Sequence, residues 1–398
     1  MSPNTEVLNT VDNGLDGVPV CTSDISLTTV DKDGNPILLY RGYSIYDLIQ
    51  GPFEETVHLI LHGTLPNGKE LNAFKEELSR HAKLDEPILS HLRSYPENVH
   101  MMDLLMTSLS FARMWDADYT NSLWQTPKMD EELARLLLNA GVRLGAKIPA
   151  LMTAGWRIRK GMKPIEPDPR LPFAGNILHM LDIQPEPELV DALNTILILY
   201  LDHTINCSTF AALVVESSMT DPYTPLIAAG APLKGVRHGG ANELAAMMFE
   251  EIGTPDRAQS YIMNKLNNGE LVFGFGHRLP HYKHKKESRV TIAERIGRPL
   301  AQKKGMGHLF EIYDIIGRVM LKEKDRAPNA DLPICILLKL LGIPRELNTP
   351  IFQASRHFGW LANILRQRRA KGPLFRPTQE YTGPDIDAMR TYVPLEKR

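Results

Sequence analysis

Cysteine is scarce: Cys21, Cys207 and Cys335 are the only three in 398 residues. They have no short metal-ligand spacing and are too few for a disulfide framework, so a reducing compartment is expected. Long hydrophobic runs are missing too. The longest, "ILILYL" (196–201) and "ICILLKLLGI" (334–343), the second interrupted by Lys339, fall short of the roughly 20 apolar residues that cross a bilayer. No transmembrane segment is expected. An excess of one charge sign is also lacking: the formal net charge is -2, with 43% hydrophobic and 23% charged residues. That balance argues against a dedicated nucleic-acid or membrane-surface protein, although local basic clusters can still hold a phosphorylated ligand. The first 31 residues contain no Lys or Arg but do contain Glu6, Asp12, Asp16, Asp24 and Asp31, the reverse of a mitochondrial transit peptide. The terminal "LEKR" is no peroxisomal or endoplasmic-reticulum retrieval signal, so a cytoplasmic location is expected. What these absences leave is a small-molecule enzyme.

Strand signals are confined to the first 40 residues, where "ISLTTV" and "PILLY" flank "DKDGN" and Asp33-Gly34 suits a hairpin turn. Beyond them apolar residues recur at three- and four-residue intervals, as in "FEETVHLILHG", "MDLLMTSLSFARMW" and "DEELARLLLNAGVRLGAKIPALMTAGWRIRKG". "PELVDALNTILILYLDH" and "CSTFAALVVESSM" are almost continuously apolar, which predicts helices buried among other helices. Breaks at 221–240 and 325–333 divide the chain into a large helical domain (1–224), a small domain (225–333) and a C-terminal return to the large domain (334–398). The expected fold is all-α and two-domain, with one short hairpin near the N-terminus.

Three constellations carry chemistry. In "GVRHGGANELAAMMFEEIG" (235–253) the apolar stripe Leu244, Met247, Met248 and Ile252 predicts a helix over about 241–252 with Gly253 as its C-cap. His238 stands just outside the positive end of that helix, which favours the neutral imidazole. Such a ring can donate to a carbonyl oxygen that is becoming an enolate, with Gly239 and Gly240 leaving room for a ligand; the same pattern also suits a turn histidine that caps local structure. In "VFGFGHRLPHYKHKKESR" (272–289) a Gly-rich turn presents His277 before a basic run, without the third glycine of a dinucleotide fingerprint. His277, His281 and His284 have a spacing that metal ligands use, but Pro280 interrupts a helix and Lys283, Lys285 and Lys286 repel a cation. No metal site is expected. The lysines form either a solvated face or an attractor for phosphate groups. In "APNADLPICILL" (327–338) a lone carboxylate, Asp331, precedes an apolar helix; burial there raises its pKa and makes it a stronger base, while exposure makes it an N-cap.

Taken in order, "HGGANE", "GFGHR" and "PNAD", followed by "LLGIP", "FQASRHFGWLA" and "RP", closely resemble the signature regions of the citrate synthase family. "GLDGVPV", "LLYRGYSIYDL", "FEETVHLILHGTLP" and "LDHTINCSTFAALVV" extend the resemblance over nearly the whole chain. It implies a mainly helical, intertwined homodimer that condenses an acyl-coenzyme A with a 2-oxo acid, usually oxaloacetate, with no metal or redox cofactor. By the same resemblance Asp331 removes the thioester α-proton, His238 hydrogen-bonds the resulting enol, and His277 polarises and protonates the ketone. His203, Arg356 and Arg376 match oxaloacetate-binding positions, with Arg376 expected to reach the partner subunit's site.

The chain also departs from the family. An arginine in an Asp-Pro-Arg element commonly follows "GHR"; here Arg289 is the candidate substitute and Lys286 the next. The usual "GPLHGGAN" reads "GVRHGGAN", which puts Arg237 beside His238, either on a phosphate or carboxylate or facing solvent. Arg237, Arg278, Lys283 and Lys286 are candidates for binding coenzyme A. After Asp331 the family usually has an aromatic residue, whereas this chain has Leu332, Pro333, Ile334 and Cys335. An aliphatic in place of a ring enlarges the acyl end of a pocket, so an acyl group longer than acetyl is expected, as in the 2-methylcitrate and fungal alkylcitrate synthase branches. Citrate or 2-methylcitrate synthesis is the close alternative. A catalytically silent ligand-binding or assembly subunit is the alternative of another class.

Overall fold

A computed structural model describes residues 14–15, 17–120, 131–277, 282 and 285–398. Their packing separates two units. One unites Met1–Thr22 with Leu374–Arg398, and the other is Ser23–Pro373. The described residues of the first are irregular apart from one 3-10 turn, Leu395–Lys397, and leave Leu374, Tyr381, Ile386, Met389, Tyr392 and Leu395 exposed.

The second unit opens with the expected hairpin. Ser26–Val30 pairs antiparallel with Pro36–Tyr40, Leu27 opposite Leu39, and Tyr43–Ser44 adds a short third strand. The Asp31 carboxylate accepts from the Asp33 and Asn35 N–H groups at 2.9 and 2.8 Å, which closes the turn. Every other long element among the described residues is a helix.

Asn348–Arg369 is the helix around which the others gather. It is buried along nearly its whole length and packs on Glu131–Arg159, Phe53–His62, Pro187–Tyr200 and Cys207–Glu216. Pro187–Tyr200 exposes Glu188 and Asp191 in its first turns, and its apolar C-terminal half is shut off from solvent, as its composition predicts. Cys207–Glu216 differs from the expectation of an interior helix. Cys207 and Val214 are exposed, and the face turned inward carries Ser208, Thr209 and Glu216. Two of these polar residues meet a hydrogen-bonding group there, Ser208 the Trp360 indole N–H and Glu216 the Arg368 guanidinium, while Ala212 and Leu213 complete the inner face.

The aromatic centre of this packing is Phe358, fully buried, with the rings of Phe53 and Phe173 at centroid distances of 6.0 and 6.1 Å. Truncation there leaves a cavity that surrounding helices fill only in part. Phe358→Ala is therefore expected to lower the apparent unfolding free energy by about 3–5 kcal/mol in denaturant titrations, and a loss under about 1 kcal/mol would contradict this packing.

Candidate active site

His238 sits in the turn between the Gly230–Lys234 and Gly240–Ile252 helices, with its own N–H donating to the Gly235 carbonyl at 2.8 Å. The second helix starts one residue earlier than the sequence pattern suggests and ends at Gly253, which has φ +72°. Gly239 and Gly240 do not leave space for a ligand as expected. A Cβ on Gly240 would stand 2.4 Å from the Lys234 carbonyl oxygen and one on Gly239 2.7 Å from that of Leu233, so these glycines let two helix ends touch. On the far side of the ring, His238 Nε2 lies 2.8 Å from Ser208 Oγ, which also accepts from Trp360 Nε1 at 3.2 Å. Burial, with Arg356 and Arg289 adding positive charge nearby, lowers the His238 pKa to about 3. The neutral state expected from the helix terminus is thus reinforced by a larger cause.

His277 is carried by a turn in which Gly274 and Gly276 both have positive φ, +82° and +83°. The turn is laced to the segment just before Asp331. Asn329 N–H donates to the Gly274 carbonyl at 2.9 Å, its Nδ2 donates to the Gly276 carbonyl at 3.1 Å, and its Oδ1 accepts from Asp331 N–H at 3.1 Å. Leu332 is fully buried, and a Cβ on Gly274 would stand 2.6 Å from its Cδ1. Only glycine lets that side chain seat against the turn. His277 meets Tyr282 and His203 edge to face, at ring-centroid distances of 4.8 and 5.3 Å.

Asp331 is the first residue of the Asp331–Leu340 helix and is partly open on its surface. Its own carbonyl accepts from Asn242 Nδ2 at 3.0 Å, which ties it to the helix that follows His238. Burial raises the carboxyl to about 7, and the nearby Glu287 carboxylate adds to that, while Arg289, Asn242 and Arg356 oppose it. The group therefore titrates near neutral pH as a base rather than behaving as an exposed N-cap.

Three further donors converge. His203 is buried and neutral, its pKa lowered to about 3 first by burial and then by the Arg289 charge. Its Nε2 lies 3.5 Å from Glu287 Oε2 without closing a hydrogen bond, and it has no other partner among the described residues. Arg289, in the first turn of Ser288–Lys303, gives Nε and Nη2 to the two Glu287 oxygens at 2.8 and 2.9 Å. Arg356, 1% exposed, donates Nε to the Tyr200 carbonyl at 2.5 Å and lies 4.7 Å from the centroid of the Phe352 ring. Burial brings its pKa down to about 10, so it stays protonated at neutral pH. Arg289 Nη1 and the terminal nitrogens of Arg356 make no hydrogen bond among the described residues. Two fixed cations and an unpaired imidazole nitrogen suit a small dicarboxylate.

Two other sequence candidates point elsewhere. Lys286 pairs with Glu294 at 2.6 Å and lies over the Tyr313 ring, and Arg237 is exposed. Arg376 is exposed in the Leu374–Arg398 unit, and Arg278 and Lys283 lie outside the described residues. Sequence reasoning missed Ser208, Glu287 and Asn329. Of these, Asn329 was visible as part of "PNAD", and Glu287 was hidden in the basic run.

The profile of the citrate synthase C-terminal domain matches residues 14–378. The chain belongs to the citrate synthase family. It is 38% identical to citrate synthase 2 of Bacillus subtilis over 98% of this chain and 100% of that protein. It is 35% identical to 2-methylcitrate synthase 2 of Corynebacterium glutamicum over 91% and 92% of the two chains. Among solved structures, citrate synthase of Thermoplasma acidophilum, in a ternary complex with carboxymethyl coenzyme A and oxaloacetate, superposes with a TM-score of 0.85 at 29% identity, covering 97% of this chain and 99% of that one. As a citrate synthase family member, this chain is an enzyme, a transferase that condenses an acyl-coenzyme A with oxaloacetate.

The Asp331 carboxyl has a consequence for stability. Its pKa rises from 3.8 in the unfolded chain to about 7 in the folded one, so its favourable contribution is complete below the lower value and disappears as pH climbs through the higher. Asp331→Asn is expected to raise the melting temperature relative to the unsubstituted protein at about pH 8 and to lose that advantage at about pH 5. An equal difference at both pH values would show that the carboxylate is not held in this environment.

Proposed function

We propose that this chain is an alkylcitrate-type synthase that condenses a medium-chain acyl-coenzyme A with oxaloacetate and hydrolyses the product thioester to a 2-alkylcitrate and free coenzyme A. The observation that supports an active condensing enzyme is that Asp331 and His238 are influenced by the same two guanidiniums, Arg289 and Arg356, yet shift in opposite directions, the carboxyl up and the imidazole down. One is a carboxyl poised to exchange a proton near pH 7, and the other is a neutral ring that can donate a hydrogen bond without carrying a charge.

In this reading Asp331 takes the α-proton of the thioester while His238 hydrogen-bonds the oxygen that gains charge. Ser208 Oγ lies 2.8 Å from Nε2, so Nδ1 is the ring nitrogen left to face the thioester, and in this reading it carries the proton. The α-carbon attacks the ketone carbon of oxaloacetate, and His277 gives a proton to the ketone oxygen as the new bond forms. Water then cleaves the carbon–sulfur bond, and coenzyme A leaves as the thiol. Arg289, Arg356 and His203 hold the carboxylates of oxaloacetate through their unengaged nitrogens. Each step is a proton transfer or a hydrogen bond that these side chains can make, so the proposal includes no resident cofactor.

The preference for a longer acyl group is supported by Leu332. Leu332, fully buried against Gly274, stands where the family usually has an aromatic residue, and in this reading its smaller side chain gives the acyl group more volume. Acetyl- or propionyl-coenzyme A is the second reading, favoured by relatives that carry the names citrate synthase and 2-methylcitrate synthase. The proposal also takes segment 225–333 as a small domain that closes over oxaloacetate, and the chain as a homodimer in which Arg376 serves the partner subunit's site. The exposed apolar side chains of the C-terminal unit support the dimer, since a second subunit would cover them.

The test is thiol release and product mass for purified protein with oxaloacetate and a graded series of acyl-coenzyme A thioesters. Turnover should peak beyond propionyl; a peak at acetyl- or propionyl-coenzyme A defeats the longer-chain reading, and binding without thiol release from any thioester defeats the enzymatic one. Asp331→Asn should reduce condensation by roughly a thousandfold or more while oxaloacetate still binds, and unchanged turnover removes Asp331 from the mechanism.

A further inference from the structure

Glu287 is almost entirely buried, at 1% exposure, and precedes the Ser288–Lys303 helix at its N-cap. A carboxylate enclosed in this way is costly unless its charge is opposed and its oxygens are hydrogen-bonded. Burial, the largest single influence, would raise its pKa, yet Arg289 together with His203 and His277 outweighs it and holds the group ionised, well below the usual carboxylate range. Both oxygens are occupied. Oε2 takes Arg289 Nε and faces His203 Nε2 at 3.5 Å, while Oε1 takes Arg289 Nη2 and the backbone N–H of Ala330 at 3.1 Å. Ala330 is the N-cap of the helix that begins with Asp331. One carboxylate therefore touches the start of two helices and two groups placed on the oxaloacetate side.

The orientation of Arg289 follows from this contact. With Nε and Nη2 engaged by Glu287, the guanidinium can present Nη1 to a ligand from a fixed plane. A free side chain would have to be ordered when the ligand binds, at a cost in affinity.

We propose that Glu287 is a positioning residue that couples the two halves of the site, orienting Arg289 and His203 toward oxaloacetate and anchoring the helix start that holds Asp331. The proposal rests on the reading that Arg289 and His203 bind oxaloacetate. It also assigns Glu287 an electrostatic effect on the base. The charged and titratable groups bearing on Asp331 are Arg289 beside Glu287 itself, Arg356 from Asn348–Arg369, Tyr200 from Pro187–Tyr200, and Cys335 in its own helix, with the neutral Asn242 amide from Gly240–Ile252. Among the groups that shift the Asp331 carboxyl, Glu287 raises it and Arg289 lowers it. Neutralising Glu287 removes the first influence and leaves the second unopposed.

The experiment uses the full-length protein with oxaloacetate and its best acyl-coenzyme A substrate, comparing Glu287→Gln, Glu287→Asp and Arg289→Gln with the unsubstituted enzyme. Glu287→Gln should raise the KM for oxaloacetate at least about tenfold, leave the acyl-coenzyme A KM within about twofold, and move the acidic limb of the kcat/KM profile to lower pH. Glu287→Asp keeps the charge but shortens the reach, so the acidic limb should stay in place while the oxaloacetate KM takes an intermediate value. An unchanged oxaloacetate KM, or equal rises in both KM values with an unmoved limb, overturns the proposal. If Glu287→Gln does not fold, the Asp variant decides, and an oxaloacetate KM equal to the unsubstituted value overturns it. Arg289→Gln separates the two layers: if it leaves the oxaloacetate KM unchanged, the binding reading falls and takes this proposal with it. If Arg289→Gln raises that KM while neither Glu287 variant does, only the role of Glu287 is lost.

Discussion

Two guanidiniums, those of Arg289 and Arg356, lie inside the protein, and the protonation states around them follow from that burial. Only one has a carboxylate against it. Glu287 matches Arg289 with two hydrogen bonds, whereas Arg356 rests on the Tyr200 carbonyl and the Phe352 ring, with Asp202 as its main charge partner nearby. Positive potential of this kind makes a second proton on His203 or His238 unfavourable, beyond what loss of water already costs. It also limits the upward push on Asp331, leaving that carboxyl near neutrality instead of far above it. A carboxyl that titrates near neutrality and two neutral imidazoles can thus coexist within one small volume.

The fold supplies the rigidity this arrangement needs. Arg356 is carried by the most deeply buried long helix, Asn348–Arg369, and stacks on Phe352, which in turn stacks on Tyr200 at a centroid distance of 4.0 Å. His277 and Asp331 come from separate stretches of chain, yet Asn329 hydrogen-bonds to both stretches, so the two residues are held as one piece. Ser208 and Trp360 fix the ring of His238 from the other side. Side chains held by such outer contacts lose little freedom when substrate arrives.

Much of this was legible in the sequence because it rests on local signals. The helix after His238 was marked by its apolar stripe and by Gly253, and the hairpin by Asp33-Gly34; both formed where expected to within a residue. His238, His277 and Asp331 stood out because each was an ionisable group at a glycine- or proline-marked turn. Glu287 did not, because in "HKKESR" it reads as one charge on a solvated face, and only the tertiary fold reveals that the run turns inward after Lys286. Lys286 ranked next after Arg289 for the same reason, yet its side chain goes to Glu294 while that of Arg289 is enclosed. The glycines beside His238 and the polar inner face of Cys207–Glu216 were misread because composition does not reveal what a neighbouring helix brings to a surface.

The central claim is that the cleft keeps unspent cationic donors for a dianion. Calorimetric titration of the protein with oxaloacetate and, separately, with the monoanion pyruvate tests this most directly. The account predicts oxaloacetate binding tighter by about a hundredfold or more, since one carboxylate leaves a buried guanidinium unanswered. Equal affinity for the two acids would contradict it.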